Sequence, residues 1–266
     1  CDTIIAQFAA DVLETPIDNI SVYGVDTDIS PYDSGSYASS TTYLTGMAAV
    51  KACEQLRERI IALAAVRMNK DASALTFDGE NVIDESDGAK MSLFDIATAS
   101  MCNNEISLEV TYSHSSPVSP PPFMAACAEI EADPETGAIE LLDYTACVDC
   151  GTVVNTNLAR VQTEGGLLQG IGMTLYEDIW YDERGKNLSN SFMQYKVPSR
   201  LDTDRIRVEF DSSYEPTGPF GAKSIGEIVI NTPAPAIADA VYNATGVWIN
   251  ELPITPEKIL KGMKVI

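Results

Sequence analysis

The chain has 266 residues, 45% of them hydrophobic, and its 17 Lys and Arg residues against 39 Asp and Glu residues give a net charge of −22. This length suffices for one large domain or two small ones with a substantial core. The negative charge argues against nucleic acid or an anionic membrane as a partner, because both would repel it. No apolar run is long enough for a membrane span and no signal peptide is visible. The expectation of a cytoplasmic protein comes from the cysteines.

The six cysteines are scattered and lie mostly in apolar contexts, which indicates reduced thiols rather than a disulfide framework. Cys147 and Cys150 have the C-x-x-C spacing. A zinc or iron–sulfur site usually needs a second such pair or added histidines, and His114 is the only histidine. The pair is therefore more typical of two small residues at a strand end than of a metal or redox site.

Apolar periodicity and breaker residues divide the first part of the chain into local elements. In chain order they predict a helix over 1–16, a strand over 19–29, a loop over 31–42, a long helix over 41–68, a hairpin over 74–84, a short helix over 91–100 and a strand over 105–113. Pro16 would end the first helix, and Ser92 is a candidate cap for the short one. Asp78-Gly79 suits the hairpin turn.

A segment over 113–122 contains four prolines and four serines, which cannot continue a regular element and therefore mark a boundary. Beyond it the pattern predicts, in chain order, strands over 123–133 and 138–150 joined by a turn at 134–137, a helix over 157–176, strands near 177–182 and 204–211, a helix over 233–245 and a short helix after Pro256. We expect an α+β fold in two parts, 1–116 and 117–266.

The first candidate site element is the run of hydroxyl residues Ser39, Ser40, Thr41 and Thr42 at the start of the long predicted helix. Helix N-termini carry unpaired N–H groups and a partial positive charge, so they hold anions such as phosphates. An ordinary N-cap, which needs only one Ser or Thr, is the alternative. The spacing alone leaves both interpretations open.

The second candidate element is a glycine-rich stretch inside the helix predicted over 157–176, with four glycines between positions 165 and 172. Each glycine costs about 1 kcal/mol relative to Ala in a helix. The cluster therefore indicates close approach of a flat ligand or, alternatively, close packing against the rest of the fold. Gln162 and Gln169 lie in this stretch and offer amide donors and acceptors.

The third candidate element is "GPFGAKSIGE", a glycine-containing turn over 218–227 that presents Glu227 just before a helical run. Gly221 and Gly226 let the backbone come close to a ligand. Glu227 is then either a catalytic acid or base, or a capping or solvated surface carboxylate. Local sequence does not choose between these roles.

Taken in order, the motifs "SGSYASSTT", "EIEADPETG", "VDCG", "QTEGGLLQGIG", "YKVP", "GAKSIGE", "PAIADAV" and "LPITPEKI" resemble the C-terminal part of the molybdenum-binding subunit of the xanthine dehydrogenase and aldehyde oxidase family. The resemblance implies two mixed α/β subdomains of a molybdopterin-binding domain, a partial one over 1–116 and a second over 117–266. Family members carry Gly-Gln-Gly and Gly-Gly-Phe-Gly-Gly segments that this sequence lacks. We therefore expect a split subunit, as in nicotinate dehydrogenase, or a fragment, with the cofactor between it and a partner.

Carried over by resemblance, Glu227 falls on the catalytic glutamate and Ala38 on the position whose backbone approaches the molybdenum. The implied cofactor-binding residues are Ala38, Ser39, Ser40, Thr41, Thr42, Gln162, Lys223 and Gly226. The family often has Pro after the Gly-Glu pair, where this chain has Ile228. That departure concerns the substrate pocket rather than the chemistry.

The resemblance implies hydroxylation of an electron-poor carbon of a purine- or nicotinate-type heterocycle, with water as the oxygen source and Glu227 as general base. It implies molybdopterin with molybdenum, as a mononucleotide or a cytosine dinucleotide, and partner chains: the N-terminal half or large molybdopterin subunit, an FeS subunit and an FAD subunit. An aldehyde oxidoreductase would use the same residues. A non-catalytic fragment that completes a partner's core is the alternative outside the enzyme class.

Overall fold

The computed structural model describes residues 1–24, 26–103, 106–199, 201–203 and 205–266. These residues form two compact units, one of residues 1–119 with 215–222 and one of residues 120–214 with 223–266. Helices and sheets occur in both units, which confirms the predicted α+β class. Among the described residues, no helix is both long and apolar enough to cross a membrane.

The first unit packs helices against a small antiparallel sheet. Its elements are α1 (Asp2–Leu13), α2 (Gly46–Met68), α3 (Leu93–Asn103) and the strands β1 (Leu75–Phe77), β2 (Asn81–Asp84) and β3 (Lys90–Ser92), in the order β1-β2-β3. Leu63 of α2, Phe77 of β1 and Val82 of β2 lie in the core of this layer. The predicted hairpin and the Ser92 cap are both present, since the Asp95 N–H donates to Ser92 Oγ at 3.1 Å.

The end of α1 and the β1–β2 turn fix each other by close packing. The helix ends at Leu13, and Glu14 takes the left-handed conformation with φ 53°. Gly79 in the hairpin turn has φ 90°, and a Cβ there would lie 2.0 Å from the Glu14 carbonyl oxygen. A residue with a side chain would be strained at this positive φ and would clash with the Glu14 carbonyl, so only glycine fits here. This contact ties the hairpin to the helix terminus.

The second unit places helices on a mixed three-stranded sheet. Its elements are β4 (Phe123–Ala132), β5 (Ile139–Asp149), α4 (Thr156–Leu175), β6 (Ile206–Phe210), α5 (Pro233–Thr245) and α6 (Pro256–Gly262). β4 and β5 form an antiparallel hairpin, and β6 lies parallel to β5 on its other side. Tyr144 of β5, Ile171 of α4 and Ile237 of α5 are fully buried in the shared core.

The segment 215–222 belongs to the first unit although the second unit flanks it in sequence. Phe220 stacks on Phe8 of α1 with ring centroids 5.8 Å apart, and Thr217 Oγ1 lies 2.7 Å from the Tyr43 hydroxyl. The predicted division into 1–116 and 117–266 puts this segment with the second part of the chain. The correspondence of the units to molybdopterin-binding subdomains stays a prediction.

The strands predicted over 19–29, 105–113 and 177–182 are absent from the described residues of those ranges, where Tyr181 forms one isolated bridge. Positions 25 and 105 lie outside the described residues. Apolar alternation gave the expectation, but a strand also needs a neighbour for its backbone hydrogen bonds. These segments have side-chain patterns typical of strands, but within the described residues they form no ladder with a neighbouring strand apart from the Tyr181–Asn187 bridge.

A buried carboxylate holds the turn after β2. Asp84 is 1% exposed, pairs with Lys70 at 2.8 Å and accepts hydrogen bonds from the Ser86 hydroxyl and N–H. Donation by Lys70 and then by Ser86 lowers the pKa of Asp84 from 3.8 to about 2. Since the folded pKa is depressed, this contribution to stability is present above pH 3.8 and is lost as the pH falls toward about 2.

We expect Asp84→Asn to lower the free energy of unfolding at neutral pH, because the buried ion pair with Lys70 is lost. The difference from wild type should shrink as the pH falls from 3.8 to about 2, where the wild-type carboxyl also becomes neutral. Denaturant unfolding at several pH values measures this difference. Asp87→Asn, whose side chain is 51% exposed, is the control and should have a smaller effect. A difference that is independent of pH would contradict the assignment.

Candidate active site

The hydroxyl run lies in the first unit, at the end of an exposed loop that leads into α2. Ala38 and Ser39 have φ values of 47° and 58°, which are in the left-handed region. The Ser40 N–H closes this turn by donating to the Tyr37 carbonyl at 2.9 Å. Non-glycine residues rarely adopt this conformation, and such strain concentrates at functional sites.

A π-helical turn, Thr41–Thr45, separates the hydroxyl run from the regular part of α2. Within the described residues, the Ser40 side chain makes no hydrogen bond that caps this helix. Thr41 instead shares a hydrogen bond with Ser36, and the buried Tyr43 anchors the turn through Thr217. The Ser40 side chain therefore does not act as the N-cap of this turn, and π-helical turns are often found at functional sites.

Three of the four predicted site residues of the second unit, Gln162, Gly226 and Glu227, line one cavity of about 460 Å³, whereas Lys223 does not. The full lining is Val161, Gln162, Gly165, Gly166, Gln169, Gly226, Glu227 and Ile230. α4 forms one wall of this cavity, and the turn before the short helix Ile228–Ile230 forms the other. The Gln162 side-chain amide donates to the Gly226 carbonyl at 3.4 Å. Glu227 is exposed at the edge of this cavity.

The glycines of α4 have two different roles. A Cβ at Gly166 would lie 2.1 Å from Val229 Cγ2, and one at Gly170 would lie 2.6 Å from Pro233 Cγ. A Cβ at Gly165 would have no atom of the described residues within 4 Å, apart from its chain neighbours and helix backbone. Close packing thus explains Gly166 and Gly170, whereas Gly165 leaves open space at the cavity.

Lys223 lies four positions before Glu227 but is only 7% exposed. Its ammonium is 2.6 Å from the Asp149 carboxylate and 5.2 Å from the centroid of the Phe123 ring. Burial acts to raise the pKa of Asp149, but its three hydrogen-bond donors outweigh burial and lower that pKa. The structure gives Lys223 a partner on β5, and its contact with a cofactor stays a prediction.

Sequence reasoning named Gln169 in the second candidate element but did not carry it into the cofactor-binding residues, and it did not select Val161, Ile230 or Asp149. Gln169 follows Gln162 by seven positions, or two helical turns, so the same face of α4 carries both amides. That spacing was the signal available in the sequence. Asp149 had no local signal, because its partner Lys223 is 74 positions away.

The C-x-x-C pair combines an exposed Cys147 with a buried Cys150. Within the described ranges, no group of three or more His, Cys, Asp or Glu side chains is placed to hold a metal ion. Burial raises the pKa of Cys150 to about 11, so its thiol is protonated at neutral pH. A protonated, buried thiol is a poor nucleophile and a poor metal ligand.

Comparison with known proteins gives consistent matches. Residues 1–204 match the model of a molybdopterin cofactor-binding domain. The chain is 38% identical to the probable hypoxanthine oxidase XdhD of Escherichia coli K12, over 100% of this chain and 28% of that protein. It superposes on a Cu,Mo-containing CO dehydrogenase with a TM-score of 0.87 and 26% identity, over 99% of this chain and 34% of the other.

A further solved structure, quinoline 2-oxidoreductase from Pseudomonas putida 86, matches with a TM-score of 0.85 and 27% identity, over 99% of this chain and 35% of the other. The chain therefore spans between 28% and 35% of the length of these relatives. The predicted architecture, that of the molybdopterin-binding domains of molybdenum hydroxylases, is confirmed by these matches.

We expect Gly166→Ala to destabilise the protein by about 1–3 kcal/mol, because the new Cβ overpacks against Val229. Gly165→Ala is the matched control on the same helix and should instead add up to about 1 kcal/mol, since it improves helix propensity and meets no steric obstacle. Thermal unfolding of both variants measures the contrast. Equal shifts in Tm would show that the two glycines do not differ as the packing indicates.

Proposed function

The chain belongs to the molybdopterin cofactor-binding domain family of the molybdenum hydroxylases, and from this membership we propose that it is the catalytic-glutamate part of an enzyme that hydroxylates an electron-poor carbon of an N-heterocycle. The observation that carries the proposal is the position of Glu227 at the edge of the cavity that α4 opens beside Gly165. The site thus combines one exposed carboxylate with two amide side chains and open space.

The substrate class is proposed from the names of the relatives. The hypoxanthine oxidase, at 38% identity, and the quinoline 2-oxidoreductase, at 27%, are both named for N-heterocycles. The aldehyde oxidoreductases among the solved structures are 22% to 24% identical, which supports a shared fold alone. An N-heterocycle of the purine or nicotinate type is therefore favoured over an aldehyde.

The residues present fit a pterin cofactor. The Gln162 and Gln169 amides and the open face at Gly165 provide hydrogen bonding and space for a flat heterocycle in the second unit. In the first unit, the Ala38 backbone turn and the hydroxyls of Ser39 to Thr42 are proposed to hold the molybdenum-proximal and phosphate ends of the cofactor. Gly226 approaches the cofactor through its backbone, since it has no side chain to prevent this.

Glu227 is proposed as the general base of the reaction. A base must come within about 2.6–3.2 Å of the proton that it accepts, directly or through one water. Its exposed carboxylate at the cavity edge is accessible to a water molecule, whereas Asp149 and Lys223 neutralise each other away from the cavity lining. Glu227 therefore takes a proton from the water that supplies the new oxygen.

The overall reaction breaks a C–H bond of the heterocycle and forms a C–O bond with oxygen from water, releasing two protons and two electrons. The molybdenum cofactor, when bound, supplies the acceptor for those two electrons. The protein contributes position and the base. These roles of the cofactor and the protein are consistent with a site whose described residues provide one carboxylate and several neutral donors.

The proposal extends to partners that lie outside this chain. A molybdenum hydroxylase passes its electrons to FeS and FAD centres, which we place on partner subunits or other parts of the protein. The pterin as a cytosine dinucleotide, the partner that carries the rest of the molybdopterin site, and a cytoplasmic location belong to this proposal. Because the chain covers 28% of the hypoxanthine oxidase, assays require the complete enzyme.

We expect Glu227→Gln in the complete enzyme to retain fold and molybdenum but to lower the rate of single-turnover reduction by substrate by about 10²–10⁴-fold. Glutamine is nearly isosteric with glutamate and cannot accept the proton. The residual activity should also lack the acidic limb of the wild-type pH profile. Glu251→Gln changes an acid that is 85% exposed in the same unit and should leave the rate unchanged.

The substrate for this assay is the compound that wild type oxidises fastest among hypoxanthine, nicotinate, quinoline and benzaldehyde. Benzaldehyde as the fastest substrate would replace the heterocycle proposal with the aldehyde alternative. A Glu227→Gln rate within threefold of wild type would make Glu227 a structural acid. Full molybdenum with no turnover of any compound in wild type would favour the non-catalytic alternative.

Ser40→Ala combined with Thr42→Val should weaken retention of the cofactor by about 10–100-fold, because hydrogen bonds to charged groups contribute about 1.5–3 kcal/mol. Stability of the cofactor-free protein should change little, since Ser40 does not cap the helix among the described residues. Molybdenum content after dialysis measures the loss. Thr98→Val, which removes an exposed hydroxyl on α3, is the control, and equal molybdenum content in all three proteins would exclude this binding role.

A further inference from the structure

A buried ion pair connects the Glu227 segment to the end of β5. The Lys223 ammonium lies 2.6 Å from Asp149 Oδ2, and the Lys223 N–H donates to the Cys150 carbonyl at 2.7 Å. Asp149 is the last residue of β5 and also accepts hydrogen bonds from the Ser213 hydroxyl and the Gly151 N–H. Both the side chain and the backbone of Lys223 are therefore fixed to the same strand end.

A second set of contacts, one before and one after Glu227, fixes this segment to α4. The Gly226 carbonyl accepts a hydrogen bond from Gln162, and the buried Val229 packs where Gly166 has no side chain. Glu227 thus lies between an anchor on β5 and an anchor on α4. Because the Gln162 hydrogen bond is long, at 3.4 Å, the β5 anchor is the stronger constraint on the residues that precede Glu227.

Stability alone does not explain a pair of this kind. Desolvation of two charges offsets much of their attraction, and replacing a buried pair with neutral groups is often tolerated, whereas removing one partner is strongly destabilising. What this pair adds is position, because the Lys223 N–H also donates to the Cys150 carbonyl and Asp149 also accepts hydrogen bonds from Ser213 and Gly151. The pair lies four residues from the proposed base, where geometry decides the rate.

We propose that the Asp149–Lys223 pair is a positioning element that fixes the Glu227 carboxylate at the cavity, an inference that rests on the proposed function. Asp149 and Lys223 do not line the cavity and act through the backbone of residues 224 to 227. They are positioning residues for the reaction and leave the proton transfer to Glu227.

The test uses Lys223→Met combined with Asp149→Asn in the complete enzyme, which leaves no unpaired buried charge. The asparagine retains an acceptor for Ser213 and Gly151. We expect a Tm close to wild type, a single-turnover rate per bound molybdenum lower by roughly 10- to 100-fold, and faster amide hydrogen exchange over residues 224–230. The acidic limb of the pH profile should remain, because Glu227 is still present.

A double-mutant cycle with Glu227→Gln separates positioning from a general structural effect. The neutral pair should cause no further loss of rate when Glu227 is already glutamine. The same loss in both backgrounds, a rate within threefold of wild type, or unchanged exchange over 224–230 would each overturn the proposal. Asp143 lies on β5, like Asp149, and pairs with the exposed Arg207. Arg207→Met removes this partner and should change neither the single-turnover rate nor the hydrogen exchange.

Ser213→Ala provides the test if the double variant does not fold. It removes one hydrogen bond to Asp149 and leaves both charges in place, so a several-fold loss of rate is expected only when Glu227 is present. Equal rates with and without Ser213 would overturn the proposal. If Glu227→Gln itself keeps the wild-type rate, the proposed function fails and the positioning role fails with it, whereas a failure of positioning alone leaves the Glu227→Gln loss intact.

Discussion

The close packing of α4 against the segment after Glu227 is the constraint on which the candidate site depends. Gly166 and Gly170 bring the helix backbone so near to Val229 and Pro233 that even a methyl group would not fit. Glycine weakens a helix by about 1 kcal/mol per residue, and burial of the opposite face of α4 in the core offsets this cost. The short distance between helix and turn follows directly from the missing side chains.

Two neighbouring positions of α4 have different surroundings, one in packing contact and one at open space. Gly165 precedes Gly166 but points about 100° away around the helix, so it faces open space rather than Val229. One helix therefore both fixes the turn that carries Glu227 and leaves room beside it. A site built on a packed helix holds its geometry better than one on a loop alone, which suits a base that must be placed within a fraction of an ångström.

In the first unit, a strained backbone turn rather than close helix packing shapes the proposed cofactor-binding residues. Two consecutive left-handed residues, Ala38 and Ser39, turn the chain sharply before a π-helical turn that Tyr43 anchors from within. The hydroxyl residues Ser39 to Thr42 are half-buried there and are all uncharged. Such neutral donors suit a cofactor whose phosphate and pterin groups carry many acceptors. The strained backbone at Ala38 and Ser39 thus lies at residues that the resemblance also selects as cofactor-binding.

The sequence by itself determined the helices and the β4–β5 hairpin, because their periodicity and turn residues are local properties. The order of its motifs also determined the family, and placed Glu227 and Gln162 where the structure has one cavity. Tertiary structure alone decided the rest. Apolar alternation over 19–29 and 105–113 produced no strand in the described residues, because alternation alone does not supply the neighbouring strand that a ladder requires. The partner of Lys223 lies 74 positions away on β5, and only folding brings two such charges together.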